Sequence, residues 1–255
     1  MINYFVLGYQ GFEYFNENFD TSKYPNTVTR IIDNGNQKID GFQNYQLNKN
    51  IGCSGGFNLI CYIGFQYLGL EKIIIGQEDT IPEEDELQEL LDKCNENKIV
   101  GLLTPFFELA TFAFHRKTFI KVGMFDENCI DGYCEDADYK HRCFLNNIEI
   151  EHLGKSHKRN LGMSRLKNKR IYDTITVNRM YIKDKWGKSV SELKEAIEDE
   201  QPPYEFKNPF NNKKYDSKFI PITHRMKMIH ELKKNELPSQ SEIFKFLTAP
   251  QSITK

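Results

Sequence analysis

Short apolar runs of strand length, YFVLGY, VTRIID, NYQL and KIIIG, alternate with polar or helical stretches over the first 80 residues. This alternation constrains the fold more than any other feature of the chain. A strand, a helix and a further strand pair most readily as a parallel unit whose helix covers one sheet face. The pattern therefore predicts an α/β protein, a three-layer sandwich with a mainly parallel central sheet. Ligands on such sheets bind beyond the carboxyl ends of the strands, and two of those ends carry acids: Asp33 after RII and Asp79 after KIIIGQE.

Further along, PEEDELQELLDKCNEN reads as an amphipathic helix whose acidic first turn suits the positive end of the helix dipole. Strands and a short helix follow, then a helix opening at EDADYKHR and a strand at IEIEHLG. After residue 160 the chain becomes polar and helical, which predicts a domain over 1–160 and a helical C-terminal region over 161–255 packing on it. With 39% hydrophobic and 27% charged residues the composition is that of a globular domain. The longest apolar runs fall short of a membrane span and the N-terminus lacks a basic leader, so a cytoplasmic address is expected. The six cysteines form no CxxC pair, so reduced thiols are expected rather than a disulfide framework or a zinc site.

Four stretches occur in order: IIDNGNQ (31–37), NKNIGCSGGFN (48–58), IIIGQEDTIP (73–82) and VGMFDENCIDGYCEDADYKHR (122–142). Together they resemble the family 2 glycosyltransferases of the GT-A fold. In that family a strand ends in an Asp-Asn turn, a glycine-bearing loop follows, a D-x-D type motif ends another strand, and a glycine-phenylalanine-D-E turn leads to an E-D-x-D helix. NRMYIKDKWG (178–187) is similar to the lysine-tryptophan-glycine segment that follows the core in many relatives. The resemblance implies an inverting enzyme that uses a nucleoside diphosphate sugar, a UDP-sugar by preference, together with Mn²⁺ or Mg²⁺.

By this resemblance Asp33 and Asn34 recognise the nucleotide. A carboxylate at a strand end can accept from a ribose hydroxyl or a base N–H, although DNG is also a turn signal in any protein. Tyr9 falls where the family contacts the nucleotide, with a core or turn aromatic as the alternative. Gly52, Gly55 and Gly56 precede an apolar helix and permit close backbone approach to a phosphate, or simply a tight turn; Asn58 is expected to cap the helix or orient a nucleotide contact. Where the family has D-x-D, this chain has Gln77, Glu78 and Asp79. That leaves Asp79 as the metal carboxylate, with phosphate oxygens completing the shell, and Gln77 beside it. Glu83, Glu84 and Asp85 read as a helix N-terminus. His157, with His152 as rival, is the second metal candidate.

In the E-D-x-D stretch the resemblance makes Asp136 the general base that takes the acceptor hydroxyl proton. Glu135 is expected to bind the acceptor. Asp138, one helical turn from Glu135, is expected to cap the helix or pair with Arg142 at i+4. The basic stretch Lys155, Lys158, Arg159, Arg165, Lys167, Lys169 and Arg170 contains no acid. It is either a solvated face, a partner of the donor diphosphate, or a surface for a polyanionic acceptor. The acceptor is thus a glycan or lipid-linked saccharide, or a hydroxylated base in DNA. The lack of a Q-x-x-R-W segment favours transfer of a single sugar. Two other readings stay open: a non-catalytic nucleotide or nucleic-acid binding module on the same scaffold, and a nucleotidyltransferase, which would want an N-terminal glycine-rich, lysine-bearing loop where GYQGFEYF supplies no lysine.

Overall fold

The structure is a computed structural model. It describes residues 1–193 except 10, 36–41, 48–49, 104–108, 130 and 156–168. His157, Lys158, Arg159, Arg165, Lys167 and the C-terminal NPFNN loop and closing helix expected from the sequence lie outside the described residues.

The expected three-layer α/β sandwich is present. Strands β1 (Ile2–Gly8), β2 (Thr27–Asp33), β3 (Gln43–Gln46), β4 (Lys72–Gln77), β5 (Lys98–Gly101), β6 (Thr111–His115) and β7 (Glu149–His152) form one seven-stranded sheet in the order β3-β2-β1-β4-β6-β5-β7. Pairing is parallel for β1 with β2 and β4, β2 with β3, and β5 with β7. Strand β6 pairs antiparallel with both β4 and β5. Every strand but β6 therefore points the same way, and the carboxyl ends of β1, β2, β3, β4, β5 and β7 share one edge. The cross-strand neighbours Gly8, Asp33 and Gln46, and the pair Leu7 and Gln77, fix that edge residue by residue.

Strand periodicity explains the two cores. In β1, Phe5 and Leu7 face one layer while Tyr4 and Val6 face the other; β4 divides Ile73 and Ile75 from Ile74, and β6 divides Phe112 and Phe114 from Ala113. On the first face lie α2 (Gly52–Cys61), which continues as a π-helical turn through Tyr67, together with α4 (Arg116–Val122) and α5 (Glu135–Leu145). On the second lie α1 (Phe12–Asn18) and α3 (Glu84–Lys93). Helix α1 was not expected. Its buried Phe12 and Phe15 were hidden in a stretch whose N-cap, Gly11, offers no side-chain cap.

A third apolar cluster forms where α6 (Lys169–Trp186) returns to the sheet domain: Tyr181, Ile182, Trp186 and Leu193 pack with Cys129 and Cys134. No helix among the described residues is long and apolar enough to cross a membrane.

Candidate active site

The site is built along the carboxyl edge of the sheet. Strand β2 delivers Asp33, fully buried, whose Oδ1 accepts from the Gly35 N–H at 2.8 Å and whose Oδ2 lies 3.5 Å from Gln46 Nε2. Asn34 turns away from that edge to clamp the start of α2. Its Nδ2 donates to the Gly52 carbonyl at 3.1 Å, and its Oδ1 accepts from the Ile51 N–H at 2.8 Å. The Asn34 amide therefore fixes the turn after β2 and the start of α2 relative to each other.

The glycines differ from expectation. The helix begins at Gly52, so Gly55 and Gly56 lie inside α2 and are not part of a loop ahead of it. Gly52 has φ +75, a conformation that L side chains rarely adopt, and a Cβ there would lie 3.3 Å from the Asp131 nitrogen. A Cβ on Gly56 would fall 2.5 Å from Leu7 Cδ1, so this glycine lets α2 sit close on β1. Asn58 is buried to 0% exposure and serves the loop opposite. Its Nδ2 donates to the Phe125 carbonyl at 2.9 Å and to Glu127 at 3.1 Å, and its Oδ1 accepts from the Phe125 N–H at 2.8 Å. Its side chain thus orients protein backbone; it neither caps the helix nor faces the open edge.

At the end of β4 the three consecutive polar residues divide. Gln77 directs its Nε2 toward Cys53 Sγ at 4.0 Å, and Asp79, half-buried, accepts from the Thr80 hydroxyl at 3.1 Å. Glu78 turns inward and accepts from the Tyr9 N–H at 3.0 Å. Burial, with Asp79 and Asp33 nearby, pushes the Glu78 carboxyl up to about 7. Sequence reading gave Glu78 no role. Its signal was its position between two outward residues at a strand end, where alternation turns it to the other side. Tyr9 itself is half-buried just beyond β1.

The acids of α5 reach this edge on an unusual turn. Asp131, Tyr133 and Cys134 have φ of 59, 72 and 75, three non-glycine residues in the left-handed region within four positions. The Asp131 carbonyl accepts from the Cys53 N–H at 2.9 Å, which joins the turn to the first turn of α2. Glu135, 7% exposed, follows directly; its Oε2 has no hydrogen-bond partner among the described residues. The Cys53 thiol lies within hydrogen-bonding range of the Glu135 carboxyl. Burial and then the neighbouring Asp136 push Glu135 up to about 8, and burial with Glu135 holds the Cys53 thiol well above its ordinary value. Asp136 is half-buried, with Oδ1 accepting from the Ala137 N–H at 2.8 Å.

No family model and no curated protein matches the chain. Among solved structures, a crystal structure of GalNAc-T7 with UDP, GalNAc and Mn²⁺ aligns with a TM-score of 0.46 and 10% sequence identity, over 93% of this chain and 59% of that one. The chain thus spans less than two thirds of that protein's length.

Asp138 belongs to a different assembly. It accepts from Arg142 Nε at 2.9 Å and from Trp186 Nε1 at 2.8 Å, and it also contacts Lys185 Nζ. Lys185 donates to Asp126 at 2.7 Å, where the Tyr181 hydroxyl also donates. The expected i+4 pair with Arg142 is therefore formed, and it is buried. Burial alone would raise the Asp138 carboxyl, but Lys185 and Arg142 beside it bring it down to about 2.

Lys155, expected to face an acceptor, pairs with Glu89 of α3 at 3.2 Å. Glu83 and Glu86 form the capping box of α3, and Glu84 accepts from the Asn26 N–H and the Thr27 hydroxyl, both at 2.8 Å, as the helix-start reading of this acidic run predicts. His152 ends β7 on the same edge as Gly101. Among the described residues no group of three His, Cys, Asp or Glu is placed to hold a metal ion. Among the described residues the donor at the expected position is the Asp79 carboxylate, which suits a hard divalent cation that takes further oxygen ligands from a diphosphate and water.

Proposed function

We propose that this chain is a GT-A type glycosyltransferase that moves a single sugar, with inversion, from a nucleoside diphosphate sugar, a UDP-sugar by preference, to a hydroxyl acceptor. One observation carries the reading. The turn at 131–134 delivers Glu135 and Asp136 to α2 beside Cys53, at the sheet edge where Asp33 and Gln77 also end. Four motifs far apart in sequence thereby meet where an α/β sheet binds its ligand.

In this reading Asp136, the more open of the two acids, takes the acceptor hydroxyl proton as the oxygen attacks the anomeric carbon. Glu135, still largely protonated at neutral pH, has a free oxygen and a proton with which to hold an acceptor hydroxyl in line. Asp33 and Tyr9 would face the nucleoside. Asp79, with His157, would hold Mn²⁺ or Mg²⁺, whose positive charge favours departure of the nucleoside diphosphate. Lys155, Lys158, Arg159 and Arg165 would supply positive charge to a polyanionic acceptor; a glycan is the first acceptor to test and hydroxymethylated DNA the second.

The test uses the purified full chain with a panel of nucleoside diphosphate sugars, with Mn²⁺ and with a chelator, and follows release of the nucleoside diphosphate. Release is expected with at least one donor and is expected to stop on chelation. Asp136→Asn is expected to lower kcat by on the order of 10²-fold or more while donor binding persists. Full activity in Asp136→Asn, or no release from any donor, would sink the proposal; binding without release would favour a non-catalytic module.

A further inference from the structure

We propose that Asn178 of α6 is a positioning residue for the acidic pair Glu135 and Asp136, acting through the carbonyls of the turn that precedes them. The proposal rests on the reading of that pair as the reacting acids. Asn178 lies 45 and 46 residues away in sequence from the carbonyls it holds. Its side chain is 0% exposed, and its Nδ2 donates to the Gly132 carbonyl at 2.8 Å and to the Tyr133 carbonyl at 3.1 Å.

Left-handed conformations at non-glycine residues persist only where their surroundings over-determine them. Here three of four consecutive residues adopt them, and three successive carbonyls are held: Asp131 by the Cys53 N–H, Gly132 and Tyr133 by the one amide of Asn178. Glu135 opens α5 two residues after Tyr133, so rotation of the 132–133 or 133–134 peptide planes would swing both acids relative to Cys53. No other side chain of this size offers two N–H groups on one atom. Aspartate matches the shape but would set oxygens against both carbonyls, and alanine would remove both donors from two half-buried carbonyls.

Asn178 is also separable from the contacts that dock its helix. Docking runs through the apolar packing of Tyr181, Ile182 and Trp186 and through Lys185 and Trp186 on Asp126 and Asp138. The apolar cluster also takes in the Cys134 and Tyr133 side chains of the turn, so a variant at Ile182 loosens packing on both while leaving the amide–carbonyl bonds of Asn178 in place.

The experiment compares Asn178→Ala, Asn178→Asp and Ile182→Ala in the full chain by amide hydrogen exchange over 131–136, melting temperature and, with an active donor, the split between kcat and KM. Exchange at 131–136 is expected to rise about tenfold in both Asn178 variants and by less than about threefold in Ile182→Ala, whose melting temperature falls. The Asn178 variants are expected to lose on the order of 10²-fold in kcat with donor KM kept within about twofold, because misplacement of a reacting group acts on the chemical step. Unchanged exchange in both Asn178 variants would overturn the proposal. So would an equal loss of kcat in Ile182→Ala at matched stability, which would reduce Asn178 to a docking contact. Failure of the wild-type chain to turn over any donor would remove the functional reading, while the exchange result would still decide whether Asn178 sets the turn.

Discussion

Glu135 and Asp138 lie on one face of the same helix, both buried, and their surroundings treat them in opposite ways. Asp138 is met by Arg142, Lys185 and the Trp186 indole and is brought down to about 2. Among the described residues Glu135 meets no cation and keeps an oxygen without a partner, and it is pushed up to about 8. A single helical turn separates an acid committed to holding the protein together from one whose hydrogen-bonding capacity is left over. A buried polar atom left unsatisfied is costly, and in the proposed function an acceptor hydroxyl would complete the set. The contrast also shows why a cluster of acids should not be given a single role.

The sharpest way to break this contrast is to remove the cation between Asp126 and Asp138. Lys185→Met is expected to cost about 3–5 kcal/mol at pH 7, measured by denaturant unfolding, because it leaves buried carboxylates under-compensated. The sign with pH follows from Asp138. Its carboxyl is lowered, so its contribution is present above the ordinary value of 3.8 and is lost as pH falls through about 2. The deficit of Lys185→Met should accordingly shrink below pH 4.

The opposite sign holds across the helix turn. Glu135 is raised from 4.5 to about 8, so the stability tied to its protonation is present below 4.5 and is lost as pH rises through about 8. Glu135→Gln is therefore expected to match the wild type near pH 4 and to exceed it by about 2 kcal/mol at pH 9. An equal stability difference at the two pH values would mean that Glu135 is not held protonated. In transfer assays the same variant should lose the alkaline fall in kcat centred near 8. The smallest effect is expected far from both regions: Glu86→Ala on the exposed start of α3 removes one half of the capping box and should cost about 1 kcal/mol at any pH above 5, read as a lower melting temperature.

The parallel sheet was legible because β1 and β4 are buried on both faces and read as apolar runs. The antiparallel insertion of β6 was not, since neither the length nor the composition of GLLTPFFELATFAFH states which neighbour it pairs with or in which direction. Helix α1 was missed because its seven residues are polar apart from aromatics that an open loop could also carry. In the site, Asp33, Asp79, Glu135 and Asp136 stood out by type and position relative to strand and helix ends. Asn34, Asn58 and Asn178 look alike in sequence, yet all three serve backbone that lies 17 to 67 residues distant. Such long-range pairing leaves no local signature, and the inward turn of Glu78 depends on where β4 ends to within one residue.

The chain has a single tryptophan, and it sits inside the charged assembly: the Trp186 indole donates to Asp138 and meets the His141 ring edge-on at 4.7 Å. Intrinsic fluorescence excited at the indole band therefore observes the seat of α6 and little else, free of contributions from other tryptophans. Burial should shift that emission toward the blue. His141, which burial brings down to about 4, is a neutral neighbour at physiological pH and becomes a quencher only in acid. A red shift without global unfolding would thus be an optical record of α6 leaving its seat.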